Sequence, residues 1–379
     1  MVPKPANSVD RIFKLTSASC WVDDVGTTAS VPKATFDPDA PVRRGPTGRQ
    51  PPMSVPHRHT HLITYARTIH HGRNTMHDFR EIGQRLSNWG RWGDDDERGT
   101  INLITADKIL AASKLVKRGA IFDLGIPFDA KGPQPGGGRI NPVRLMSETG
   151  QHQEFPGAFH YADDYVFMPL QSASQWDGLS HVFYDEHMYN GFPSSDVGPY
   201  GAKHCSIDKM AKGIVGRGVL LDIARLKGVD WLEAGTVITP ADLDAAALRQ
   251  GVSFGSGDIL LFRTGWRTKF VREQNPTEFM AGEPGLGLDC CQWIADHEVA
   301  VVASDNWAIE VLPGEIETEL LPVHMVLIRD MGVTLGEILD LDELAADCEA
   351  DGVWEFFLTA PPIKFTAAVG SPINPLAIK

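Results

Sequence analysis

The sequence predicts an α/β domain, and three of its features support that prediction. Short apolar runs alternate with segments of helical periodicity over about 300 residues, as expected where helices pack against a sheet. Hydrophobic residues make up 42% of the 379 residues, which is enough for a large core. Several apolar runs also end in polar residues, and α/β folds usually keep their binding groups at strand ends.

Residues 1–75 differ in composition from the rest of the chain. They are rich in Pro, Ser, Thr and Arg, and they lack a sustained period of 2 or 3.6, so we expect a poorly ordered N-terminal extension. This segment carries ten basic and five acidic side chains, against 25 basic and 44 acidic in residues 76–379. We interpret its five histidines as part of a flexible tract rather than a metal site, and place the folded domain at 76–379.

The first half of that domain offers clear helix signals. Phe79, Ile82 and Leu86 recur at helical spacing. Thr105 is a suitable N-cap for a helix that runs to about residue 117. Between these helices, Trp89 and Trp92 stand in a Gly-containing acidic turn, which favours a lid or pocket wall. A strand at 120–125 and a Gly/Pro loop at 131–138 follow, and the loop has no phosphate-binding pattern.

The second half predicts most of the sheet. Tyr165 to Leu170 is an apolar run that we interpret as a buried strand. Thr239 and Pro240 open a helix as N-cap and first residue. That helix is predicted over 241–250, and another over 288–297. Further strands are predicted at 216–223, 258–263, 299–303 and 355–358.

Charge and cysteine content exclude several classes of protein. The formal net charge of -14 disfavours nonspecific binding to nucleic acid or to an anionic membrane surface. The five cysteines include no C-x-x-C pair, so a disulfide framework or thiolate zinc site is not expected, and Cys290 and Cys291 are interpreted as buried helix residues. No run of eighteen apolar residues occurs. We therefore expect a cytoplasmic protein that binds a small molecule.

Residues 174–187 contain the strongest candidate for a reactive site. Asp177 and His181 are four residues apart, so one helical turn would place them on the same face. A carboxylate oxygen with an imidazole nitrogen suits a zinc or manganese ion. His187 adds a second imidazole. The alternative for Asp177 is that it caps a turn.

A second candidate segment lies about 150 residues further on. His324 stands in the apolar run 321–328, and Glu337 follows among apolar neighbours. A buried carboxylate needs a partner, so we expect both to belong to the same site. The alternatives are that His324 is a packed core histidine and that Glu337 is a solvated helix residue. Trp307 follows the predicted strand 299–303 and is expected in the pocket.

Together these segments resemble the metal-dependent cyclase superfamily, which includes bacterial kynurenine formamidase and isatin hydrolase. The resemblance extends from about Leu86 to Pro372. Its motifs are Asn-Trp-Gly-Arg-Trp-Gly at 88–93, Gly-Thr-Ile-Asn-Leu-Ile-Thr at 99–105, Gln-Trp-Asp at 175–177 with the residues up to His187, Gly-Arg-Gly-Val-Leu-Leu-Asp at 216–222, and His324 with Glu337. It implies a swivelling β/β/α fold, hydrolysis of an amide, cyclic amide or ester with a divalent metal, and a homo-oligomer.

The chain departs from the superfamily motif H-x-G-T-H-x-D-x-P-x-H. Aligned on the second histidine, which is His181, Asp177 replaces the first histidine and Phe183 replaces the metal-bridging aspartate, while His187 matches the last histidine. The chain resembles the branch with a Gln-Trp-Asp signature, which implies one metal ion rather than two. The resemblance implies that His181 is a metal ligand, that His187 is the acid or base, and that His324 and Glu337 are further members of the site, which we expect to complete the metal coordination. Asp177 as a ligand follows from its position and chemistry.

The predicted function is metal-dependent hydrolysis of a small amide, cyclic amide, ester or lactone by metal-activated water. His187 would transfer the proton, and Gln175 would orient a ligand or water. Arg139 is expected to bind a substrate carboxylate. The alternatives are a metal-dependent lyase or cyclase that acts by proton transfer, and a non-catalytic small-molecule-binding relative. The expected pocket residues are Trp89, Trp92, Arg139, Trp176, Phe183 and Trp307.

Overall fold

The computed structural model describes residues 78–379 except 137, 152 and 154. The expectation of a poorly ordered segment at 1–75, with its five histidines, lies outside the described residues. Within them, the α/β class is confirmed, since helices pack against a nine-stranded mixed sheet. None of the described helices has the length and apolar character needed to cross a membrane.

The strands of the described chain follow the predicted order, with several short additions. They are β1 (Ile121–Asp123), β2 (Val143–Thr149), β3 (Ala162–Phe167), β4 (Gln175–Asp177), β5 (Val197–Gly198), β6 (Gly201–Ala202), β7 (Val215–Asp222), β8 (Val237–Ile238), β9 (Ile259–Arg263), β10 (Gly285–Leu286), β11 (Val301–Ser304), β12 (Thr334–Glu337), β13 (Glu355–Thr359), β14 (Gly370–Pro372) and β15 (Leu376–Ile378). The four long predictions at 216–223, 258–263, 299–303 and 355–358 are confirmed within about two residues.

The large sheet has a parallel centre and antiparallel margins. Its strand order is β1-β15-β13-β7-β9-β11-β12-β4-β14. Strands β7, β9, β11 and β12 run parallel to one another, whereas β4 pairs antiparallel with β12 and β14. Residues Val301–Ser304 are buried throughout, as is typical of a parallel strand covered on both faces. Residues at the carboxyl ends of these central strands therefore lie at one edge of the sheet.

The helices begin largely where their capping residues predict, although the helix that Thr105 caps ends at Ser113 and not at about residue 117. They are α1 (Phe79–Leu86), α2 (Ala106–Ser113), α3 (Ile223–Leu226), α4 (Pro240–Gln250), α5 (Trp266–Glu273), α6 (Pro276–Ala281), α7 (Cys290–Asp296), α8 (Pro322–His324) and α9 (Asp342–Asp351), and a π-helical segment, Met325–Asp330, continues α8. Thr239 and Asp242 form a capping box at the start of α4, and Gly251 ends that helix in a left-handed conformation. Cys290 and Cys291 are buried in α7, as predicted.

The apolar run that begins at Tyr165 is not the buried strand that its composition predicts. Among the described strands β3 pairs with β2 alone, and together they form a two-stranded ribbon outside the large sheet. Every residue of β3 is exposed, and Phe167 has an exposed fraction of 68%. Composition predicted the strand but could not show which partner would cover it.

Candidate metal centre

Pairing between β4 and β12 places polar residues of two distant segments side by side. Gln175 is opposite Glu337, and Asp177 is opposite Leu335. Because side chains alternate along a strand, Gln175, Asp177 and Glu337 share one face of the sheet. Gln175 Nε2 donates to Glu337 Oε2 at 2.5 Å, and all three residues are buried.

The same alternation corrects the expectation that Trp176 lines the pocket. Trp176 lies on the opposite face of β4, is fully buried, and donates from Nε1 to the Ala360 carbonyl oxygen at 2.7 Å. Its ring packs so closely on Gly336 that a Cβ there would lie 1.9 Å from Cζ3. Trp176 is therefore a core residue that packs over Gly336 on the face of the sheet opposite Asp177.

The predicted helical turn between Asp177 and His181 is also wrong. Asp177 ends β4, and a turn follows in which the His181 amide donates to the Gly178 carbonyl oxygen at 2.9 Å. The turn nevertheless brings the side chains together, with His181 Nε2 3.7 Å from Asp177 Oδ1. The four-residue spacing identified two neighbours but not the backbone that joins them.

The helix α8 brings His324 to this face, and a buried carboxylate orients it. His324 Nδ1 donates to Glu310 Oε1 at 2.6 Å, while Nε2 lies 3.1 Å from Glu337 Oε1. The backbone amides of Val323 and His324 donate to the same Glu310 carboxylate at 3.0 and 2.9 Å. The sequence analysis missed Glu310, because a single acid in an irregular segment has no spacing pattern that would pair it with His324.

Asp177, His324 and Glu337 form a group suited to a divalent cation. One potential ligand atom from each lies within 4.8 Å of the others, and all three residues are buried. Neither Asp177 carboxylate oxygen has a hydrogen-bond partner among the described residues. A buried carboxylate without a partner is costly, and two carboxylates with one imidazole are common ligands of zinc and manganese. The donor set therefore fits such an ion.

Electrostatics support the same conclusion. Burial and the nearby Asp177 carboxylate raise the pKa of Glu337 to about 7, although His324 opposes this shift. Burial alone would lower the pKa of His324, but Glu310 and Glu337 raise it to about 10. Burial lowers the pKa of His181, despite the opposing charge of Asp177. A cation bound to these residues would offset the repulsion between Asp177 and Glu337.

Glu283 is a further buried acid that the sequence analysis missed. Its carboxylate accepts the backbone amides of Trp307 at 2.6 Å and Ala308 at 2.7 Å. Burial raises its pKa well above the ordinary value, and the charge of Glu337 adds to this effect. Glu283 thus anchors the loop after β11 beside the metal centre.

Of the remaining predicted site residues, Arg139 and Trp307 lie near the metal centre, whereas His187 lies in other surroundings. The Arg139 guanidinium carbon lies 5.5 Å from the centroid of the Trp307 ring, and the charge of Arg139 acts on both His181 and Glu337. His187 is exposed, its Nδ1 lies 2.8 Å from the Asp185 carbonyl oxygen, and its ring faces Trp89 at 6.3 Å between centroids.

No hydrogen bond or ion pair between described residues joins His187 to Asp177, His181, His324 or Glu337. Trp89 donates from Nε1 to the Arg329 carbonyl oxygen, and Trp92 packs under Arg91. Phe183 has an exposed fraction of 39%. The structure therefore brings Arg139 and Trp307 to the centre, and places His187, Trp89 and Trp92 in other surroundings.

Comparison with known proteins identifies the family. The family model described as putative cyclase matches residues 99–311, which is more than half of the chain. This chain belongs to the cyclase family. A solved structure described as a novel cyclase is 42% identical, with a TM-score of 0.73, and the match covers 78% of this chain and 100% of that one. No curated protein matches the chain.

More distant cyclase-like structures share the fold. Isatin hydrolase A from Labrenzia aggregata, bound to benzyl benzoate, is 19% identical with a TM-score of 0.52, over 72% of this chain and 97% of that one. Isatin hydrolase A from Ralstonia solanacearum is 19% identical with a TM-score of 0.51, over 73% and 98%. The cyclase resemblance and the fold predicted from the sequence motifs are thus confirmed.

Proposed function

We propose that this cyclase-family protein is a metal-dependent hydrolase of a small amide, cyclic amide, ester or lactone. Asp177, His324 and Glu337 hold a zinc or manganese ion. The observation that carries this proposal is the buried Asp177 carboxylate, which lies beside His324 and Glu337 and whose two oxygens have no hydrogen-bond partner within the described part of the chain. His181 Nε2, 3.7 Å from Asp177 Oδ1, is a further donor, because two ligands about 2.0–2.2 Å from one ion lie within about 4.4 Å of each other.

Neighbouring residues orient the proposed ligands through hydrogen bonds. Glu310 accepts the Nδ1 proton of His324, which leaves Nε2 directed toward Glu337. Gln175 fixes one Glu337 oxygen by its hydrogen bond. A divalent ion held here would supply Lewis acidity, which acidifies water and polarises a carbonyl oxygen.

Proton transfer has a candidate inside the centre. Because its pKa is lowered, His181 is neutral at pH 7 and its imidazole can bind a cation or accept a proton. Its side chain keeps an exposed fraction of 20%, so substrate can approach it. His187 lacks a contact with these groups, and the acid–base role that the sequence motif implies for it has no support from the geometry.

Metal content and product analysis test this proposal. The purified full chain should contain about one zinc or manganese ion, and Asp177→Asn should lose it, while the exposed control Asp107→Asn should retain it. Turnover of an amide, lactone and ester panel in oxygen-18 water should label the product acid. Protein without metal and without sensitivity to chelator would refute the metal proposal, and turnover without label would indicate a lyase.

A further inference from the structure

Arg139 is a guanidinium without a carboxylate partner among the described residues. It lies in the loop before β2, is partly buried, and packs against the Trp307 ring. Arg217 and Arg263, in contrast, each pair with two carboxylates. When an aromatic ring packs against the face of a guanidinium, the N–H groups at its edge stay accessible and can bind a planar anion.

The position of Arg139 links it to the metal centre. Trp307, its aromatic neighbour, donates its backbone amide to Glu283 at 2.6 Å. Asn306, which precedes Trp307, accepts the amide of Ile338, the residue after Glu337, at 2.9 Å. The positive charge of Arg139 also contributes to the lowered pKa of His181 and opposes the rise in the pKa of Glu337, in agreement with this position. Arg139 is therefore near the groups that would meet the bond to be broken.

Buried polar atoms without partners are concentrated around the same place. Eight described residues have such an atom, and six of them belong to the loop before β2, to β4 and the segment that leads into it, or to the loop after β11: Gln134, Gln171, Ser172, Gln175, Asp177 and Trp307. Gln134 Nε2 donates to the Ser172 carbonyl oxygen at 3.0 Å, which ties that loop to the segment before β4. Trp307 Nε1 and Gln171 Nε2 are donors. Such a concentration is typical of a site that binds a polar ligand.

We propose that the substrate carries a carboxylate which Arg139 binds beside the metal centre, with the Trp307 ring packed against the guanidinium and its Nε1 as a second donor. Arg139 is then a specificity-determining residue, and the substrates are carboxylate-bearing amides or lactones. This inference rests on the proposed function, which specifies the class of bond that is cleaved. Binding of the carboxylate itself can be measured without turnover.

Calorimetry of the zinc-loaded full chain provides that measurement. Benzoate and anthranilate are compared with benzamide and anthranilamide, which have the same rings without the charge. Wild-type protein should bind the carboxylates about 10- to 100-fold more tightly, because a bidentate guanidinium–carboxylate pair is a charge-assisted contact. Arg139→Gln should abolish that preference, and Arg139→Lys should keep part of it. The matched control Arg85→Gln removes an exposed arginine of α1 and should behave as wild type.

Three results would overturn the inference. One is that neither carboxylate binds with a Kd below about 10 mM. Another is that Arg139→Gln weakens carboxylates and amides equally. A third is that Arg139→Gln keeps both its zinc and its preference for carboxylates, because another group would then bind the carboxylate.

A kinetic pair separates this inference from the proposed function. N-formylanthranilate and formanilide differ only in the carboxylate, and Arg139→Gln should raise KM for the former far more than for the latter. If neither compound nor any other amide or ester is hydrolysed but the calorimetric preference persists, the proposed function fails and the carboxylate site stands. If both are hydrolysed with unchanged KM values in Arg139→Gln, the carboxylate site fails and the proposed function stands.

Discussion

Glu310 is the residue through which the account of the metal centre can be tested without touching a proposed ligand. Its two carboxylate oxygens accept three N–H groups, namely the amides of Val323 and His324 and the His324 Nδ1 proton. Glu310→Gln keeps the size of the side chain but replaces one acceptor oxygen with an NH2 group. If the remaining oxygen stays on His324, the Val323 amide faces another donor.

The size of the effect follows from these contacts. Removal of an orienting carboxylate typically costs 10- to 100-fold in metal affinity. Loss of Glu310 also removes the largest influence that raises the pKa of His324, so a competing proton binds less tightly. We therefore expect Glu310→Gln to lose metal affinity by a factor near the lower end of this range, about tenfold. One buried N–H left unpaired should lower the free energy of unfolding by about 1–3 kcal/mol.

Competition with a chromophoric chelator at pH 7.5 measures the affinity, and urea unfolding measures the stability. Glu317 provides the matched control, since it is exposed and its substitution by Gln makes the same chemical change. Glu317→Gln should match wild type in both measurements. Unchanged metal affinity in a folded Glu310→Gln protein would refute the assignment of Glu310 as the residue that orients His324.

Three further predictions follow from the same contacts. Apparent zinc affinity should rise about tenfold per pH unit from pH 7 to 9, because the proton on His324 (pKa about 10) must leave before zinc binds. Below pH 7 the rise should be steeper, because Glu337 (pKa about 7) is also protonated there. A zinc affinity that does not depend on pH in chelator competition would contradict this prediction. His187→Ala should retain its metal and lose less than about tenfold in turnover, whereas a loss of about 10² or more would support the acid–base role implied by the motif. Gly336→Ala should lower the free energy of unfolding by at least about 1–3 kcal/mol in urea, because the new Cβ would meet the buried Trp176 ring at 1.9 Å, while Gly198→Ala, which has open space around it, should change little; equal stability of the two variants would show that Trp176 can move.

Local chemistry predicted much of the fold. The helix α4 was recognisable from Thr239 and Pro240, because an N-cap acts within the first turn of a helix. The central strands were recognisable because burial on both faces requires a continuous apolar run. Tyr165 and Phe167 follow the same composition but stand on an exposed ribbon, and the sequence does not show that difference.

The candidate site was predictable where two residues are close in sequence and less so where the fold unites distant ones. Asp177 and His181 were found through their spacing, and His324 and Glu337 through polar chemistry in apolar runs and the family resemblance. Glu310 and Glu283 were missed, because their partners are set by tertiary packing. Trp176 was misplaced because a strand, rather than a helical turn, directs its ring away from Asp177.

The most direct test is the position of the metal ion itself. Anomalous diffraction from crystals of the full chain grown with zinc or manganese should show one ion bonded to Asp177, His324 and Glu337, at about 2.0–2.2 Å from each ligand atom. The same maps would show whether His181 is a fourth ligand. An ion bound elsewhere, or no ion at these residues at saturating metal, would contradict the account.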